Sequence, residues 1–195
     1  MNAIDEIYEK SLSSEQFATA YFEYLTRVLR SISTAEVAAF IEALLKARER
    51  NSAIYFIGNG GSAAISSHVS VDLTKNGGIE CINFNESDLI TCFANDYGYE
   101  NWIDKAVKFY GKKGDILILV SVSGSSPNVV KAAKNAKKHG IKTIITFTGS
   151  KNSNNKLKKN GDINIWINSA SYNIVENAHQ FILLMIVDSI INEKN

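Results

Sequence analysis

From residue 53 onward the chain repeats one pattern, and that pattern restricts the fold more than any other feature. A short run that is apolar on both faces is followed by a break and then by a segment with helical spacing. The runs fall at residues 53–57, 79–84, 115–121, 141–147 and 163–167. Helices are expected at 62–74, 86–94, 100–110, 127–139 and 173–192. Pro127 stands at the favoured first position of one of these helices, and Gly140 closes it. Strands without a polar face need cover on both sides, and strands that alternate with helices pair in parallel. The expectation is an α/β sandwich of three layers. Right-handed crossovers then bring the loops that follow the strands to one edge of the sheet.

Before residue 53 the spacing is helical throughout. Ile4, Ile7, Tyr8 and Leu12 share one face, and Phe17, Tyr21, Tyr24, Leu25 and Val28 another. Ser33 with Glu36 three residues on is a capping-box signature, and Val37, Phe40, Ile41, Leu44 and Leu45 line the helix it opens. The chain therefore divides into an N-terminal helical extension, 1–50, and an α/β domain, 51–195. The extension covers the main domain or meets another subunit. The closing helix is apolar around most of its circumference from Ala178 to Ile191, as in a core or an interface. Together with the amphipathic N-terminal helices it points to an oligomer.

Two stretches carry the chemistry: Gly58-Asn59-Gly60-Gly61-Ser62 and Ser121-Val122-Ser123-Gly124-Ser125-Ser126. Each joins a strand to a helix at the common sheet edge. Unpaired N–H groups at a helix start, the positive end of its dipole and nearby hydroxyls all favour an anion. Neither loop contains lysine or arginine, so the cradle is neutral, built from N–H groups and hydroxyls that donate and accept. Two such loops suit a ligand with a phosphate and several other oxygens. Gly58, Gly60 and Ala63 also fit a weak dinucleotide fingerprint. The second strand, however, ends in Asn83-Phe84-Asn85 and lacks the acid that would hold a ribose.

Composition narrows the classes further. The 195 residues suffice to bury roughly 70% of the unfolded surface. The formal charge of +1 lacks the basic footprint of a nucleic-acid binder. The N-terminus does not read as a secretory signal, and the longest apolar run, 181–187, is too short to span a bilayer. A soluble cytoplasmic protein with no membrane partner is expected. Cys81 and Cys92 read as reduced, buried thiols. Residues 151–160, polar and rich in asparagine, read as a mobile surface loop.

His68 and Asp72 lie four apart on the helix after the first loop, hence on one face. The pair suits metal binding, a shared proton or simple bracing of the helix. Glu176, His179 and Gln180 cluster on the closing helix, where His179 reads equally well as a core histidine.

These two loops, with His68, Asp72-Leu73-Thr74, Ala94-Asn95-Asp96-Tyr97-Gly98 and Thr146-Phe147-Thr148-Gly149, resemble the sugar isomerase (SIS) domain family over nearly the whole chain. The resemblance implies a flavodoxin-like sandwich with a five-stranded parallel sheet, a homotetramer and active sites at subunit interfaces. It implies aldose–ketose isomerisation of a sugar phosphate, with sedoheptulose 7-phosphate the nearest match, through an enediol. It implies phosphate binding by Ser121, Ser123 and Ser126, and substrate contacts from Asn59, Gly60, Gly61, Ser62, Asp96 and Glu176. Asp72 stands where the family has its catalytic base, and His179, or Gln180 beside it, is read as the substitute for the family's histidine, with His179 as the partner acid. Some members hold zinc, which here would fall to His68, Asp72 and Glu176. Three positions depart from the family pattern: Val122 replaces a frequent threonine, Asp72 is one methylene shorter than glutamate, and Leu184 stands where a histidine is usual. A non-catalytic module of the same fold, binding a sugar phosphate or a protein, is the alternative reading.

Overall fold

The computed structural model describes residues 2–193. Three helices come first: α1 (Ala3–Lys10), α2 (Ser14–Arg30) and α3 (Thr34–Glu49). Ser33 caps α3 through its side chain, which accepts from the Glu36 N–H. The alternating part follows as β1 (Ile54–Gly58), α4 (Gly61–Lys75), β2 (Cys81–Asn83), α5 (Ser87–Tyr97), α6 (Trp102–Tyr110), β3 (Ile116–Ser121), α7 (Pro127–Asn135), β4 (Thr143–Thr148), β5 (Ile163–Trp166) and α8 (Tyr172–Asn192). Past Asn135 the helix tightens to a 3₁₀ turn, Ala136–His139, and stops at Gly140, whose φ of +92° suits glycine.

The five strands form one parallel sheet in the order β2-β1-β3-β4-β5. The central strands β1 and β3 are buried along their whole length, which is why their sequences lack a polar face. One apolar cluster joins Phe40 and Leu44 of α3 to Ile118, Phe147, Ile182 and Ile186. The other joins Tyr55, Trp102, Leu117 and Ala132 on the opposite side of the sheet. The N-terminal helices thus share a core with the α/β part.

Helix α8 as a whole is long and apolar enough to cross a bilayer, although its longest unbroken apolar run is not. It is nevertheless half buried within the fold, against α2, α3 and α4. Two expectations are corrected, for Cys92 and for residues 151–160. Cys92 is exposed on α5 rather than buried. Residues 151–160 are not merely a surface loop, because Leu157 is fully buried and Asn155 nearly so. A polar stretch can hide such anchors, since single inward residues leave no periodicity.

Candidate functional site

The two glycine- and serine-rich loops leave the adjacent central strands β1 and β3, whose register pairs Gly58 with Val120. Adjacent strands with parallel ends place the following loops side by side. Between them lies a cleft lined by Asn59, Ser62, Ser121, Ser123, Ser126, Tyr172 and Glu176, together with Val120 and Val122. No lysine or arginine lines it.

Gly60 adopts φ +55° and caps α4, whose first N–H groups face the cleft end of the helix. Gly61 leaves room there for an acidic side chain from α8. A Cβ at this position would meet the Glu176 carboxylate, with Oε1 at 2.5 Å and Oε2 at 2.7 Å. Helix α8 thereby lays Glu176 flat against the first turn of α4.

In the serine loop, Ser121 and Ser126 hydroxyls lie 3.3 Å apart. The Ser123 hydroxyl oxygen accepts from the Ser125 N–H at 3.3 Å and from the Ser125 hydroxyl at 3.1 Å. Its own proton is therefore free for a ligand. Gly124, at φ +59°, turns the loop, and the Asn155 side chain fills the space a Cβ would need. Asn155 is held in turn by donation to Thr148 Oγ1 at 3.1 Å and by acceptance from the Lys158 N–H at 2.9 Å. Ser126 and Pro127 start α7, so a second helix N-terminus faces the cleft.

The loops are tied to each other. Asn59 and Asn128 exchange two amide hydrogen bonds, each 3.0 Å. Tyr99 donates a third bond to Asn59 Oδ1 at 3.3 Å. One Asn59 N–H is left for the cleft. Sequence reasoning passed over Asn128, Asn155 and Tyr172. Asn128, two residues into a helix and 2% exposed, is the one with a legible signal, since buried asparagine needs partners.

Other expected site residues lie elsewhere. His68 and Asp72 do pair, with Nε2 and Oδ2 3.3 Å apart on the outer face of α4. Asp72 lies ten residues beyond Ser62, about 15 Å along the helix axis. Asp96 is exposed on α5 and accepts from the Asn95 side chain at 3.0 Å, away from the cleft lining. His179, expected as the partner acid, is corrected to a core residue. It is fully buried against the edge of Phe147, ring centroids 5.5 Å apart, and its Nε2 lies 3.3 Å from the Thr148 carbonyl. Burial lowers its pKa to about 4, outweighing the upward pull of that carbonyl. A neutral ring sealed from the cleft cannot exchange protons with a ligand there. Leu184, five residues further along α8, packs half-buried against the main core.

The zinc set does not assemble within one chain. Among the described residues, no three His, Cys, Asp or Glu side chains group so as to hold a metal. A structural zinc site takes four ligands, and a catalytic one three with an open position.

The model of the SIS domain family matches residues 20–149. The phosphoheptose isomerase of Maridesulfovibrio salexigens is 32% identical over 148 residues, covering 73% of this chain and 68% of that protein. That of Thermodesulfovibrio yellowstonii is 40% identical over 116 residues, 56% of this chain and 57% of its own. Among solved structures, a phosphoheptose isomerase from Francisella tularensis superposes with a TM-score of 0.83 at 24% identity, covering 93% of this chain and 100% of that one. One from Neisseria gonorrhoeae gives 0.81 at 24%, covering 91% and 98%. At that identity the superpositions speak for the fold.

Proposed function

The chain belongs to the SIS domain family, among the phosphoheptose isomerases, and on that footing we propose that it interconverts sedoheptulose 7-phosphate and D-glycero-D-manno-heptose 7-phosphate. The observation that carries this reading is the single cleft in which Asn59 and Ser62 face Ser121, Ser123 and Ser126. It offers hydroxyls, amide protons and two helix N-termini to a phosphate and its neighbouring oxygens.

Aldose–ketose exchange requires a base beside the carbonyl. The base removes a proton from the carbon next to it, an enediolate forms, and the proton returns to the neighbouring carbon. Asp72, paired with His68, is the carboxylate assigned to that step. Within its own chain it stands about 15 Å along the helix from Ser62. The cleft of one chain holds about 130 Å³, below the roughly 300 Å³ at which ligand pockets begin. Both facts support active sites completed between subunits, where one copy holds the phosphate and another presents Asp72; the homotetramer expected from the family resemblance supplies such pairs. Exposed Phe22, Val71, Phe181 and Met185 on α2, α4 and α8 supply apolar surface for such contacts. The reading gives zinc no step.

The test is turnover of sedoheptulose 7-phosphate by the purified chain, with added zinc and with chelator. Steady turnover, lost in Asp72→Asn, is expected. Absence of turnover under every metal condition overturns the reading.

A further inference from the structure

Enediol chemistry needs two proton paths, one at carbon and one between the two oxygens. With Asp72 at carbon, and with His179 sealed in the core and an alkyl chain at Leu184, the oxygen path lacks an imidazole. The cleft holds one carboxylate, that of Glu176. Among the described residues it has neither a hydrogen bond nor an ion pair. Such a group is uncommon beside a helix start, where capping bonds are on offer. It sits against Gly61, in space that a side chain at 61 would contest. The Asn59 amide and the Ser62 side chain line the same cleft, so sugar oxygens held there lie beside it.

We propose that Glu176 relays the proton between O1 and O2 of the bound sugar. This deepens the isomerase reading and rests on it. As the base withdraws a C1 proton from the ketose, the C–H pair becomes the C1=C2 bond and the carbonyl pair moves to O2. Glu176 takes the O1 hydroxyl proton on one carboxylate oxygen and delivers a proton to O2 from its carboxyl. The O1 lone pair closes the aldehyde carbonyl as the base returns its proton to C2. Glu176 ends in the state in which it began, and no oxidant or reductant is needed.

The experiment compares the full chain with Glu176→Gln and Glu176→Asp in D₂O, following net isomerisation and deuterium entry at C1 separately. Binding of sedoheptulose 7-phosphate is measured by calorimetry. For Glu176→Gln, kcat should fall by about 10²–10⁴. Binding should stay within threefold, and deuterium entry at C1 should outrun isomerisation, because carbon exchange survives a broken oxygen relay. Glu176→Asp, with the carboxylate drawn back by roughly 1.5 Å, should recover part of kcat. The assignment is overturned if Glu176→Gln keeps kcat within threefold of the parent, if exchange and isomerisation fall in parallel, or if only binding suffers. Should the Gln variant not fold, a Glu176→Asp variant that binds sugar phosphate and shows no excess exchange overturns it equally. An inactive parent chain would instead strike down the isomerase reading, and the relay with it.

Discussion

Replacing His179 by leucine tests the reassignment of that residue from catalysis to the core. The imidazole is fully buried and its pKa lies near 4, whereas in the unfolded chain it returns to about 6.5. The unfolded state therefore binds the extra proton as pH falls, so stability is intact above about 6.5 and drains away down to about 4. Linkage between those two values gives a loss of about 2 kcal/mol on going from pH 7 to pH 5, and roughly 3 kcal/mol in full. Leucine does not titrate and removes the unpartnered Nδ1. The Thr148 carbonyl it abandons still accepts from the Ile167 N–H at 2.8 Å. At pH 7 the variant should lie within about 1 kcal/mol of the parent. Urea unfolding at fixed protein concentration, at pH 7 and pH 5, measures both. The variant should gain about 2 kcal/mol on the parent between the two pH values, with turnover retained. A gain below about 0.5 kcal/mol, or a folded variant that has lost turnover, would refute the buried, neutral assignment.

Two further perturbations probe the phosphate cradle. Ser123→Ala with Ser126→Ala removes two hydroxyl contacts to an anion, each about 1.5–3 kcal/mol. Calorimetry should show sugar-phosphate binding weakened by at least about 10²-fold, with the unfolding midpoint near that of the parent. Gly124→Ala forces a side chain into left-handed backbone, costing about 1–2 kcal/mol, and also expels the Asn155 side chain from its seat. A lower denaturation midpoint together with weaker phosphate binding is the expected pair of results, and an unchanged midpoint would contradict the packing.

The corrections share a cause. The resemblance puts an imidazole at the position of Leu184, and His179 reads as its substitute on a helix whose facing the sequence does not reveal. Helix α8 is apolar on nearly every side, so its own pattern does not say whether position 176, 179 or 184 meets the cleft. Asn155 lies in a polar stretch without periodicity, yet one side chain there decides the shape of the serine loop.

The sequence alone determined the strand–helix alternation, the parallel sheet and the shared edge that carries both loops. These follow from residue spacing and backbone chemistry within a few positions, which the chain order states directly. The identity of the hydroxyls around the cleft was legible for the same reason. Only tertiary structure decided that Glu176 rests on Gly61, that Asn128 ties the two loops together, and that His179 faces Phe147 instead of a ligand. Those contacts join segments far apart in the chain, and close packing selects one rotation of each helix from several that its sequence pattern permits.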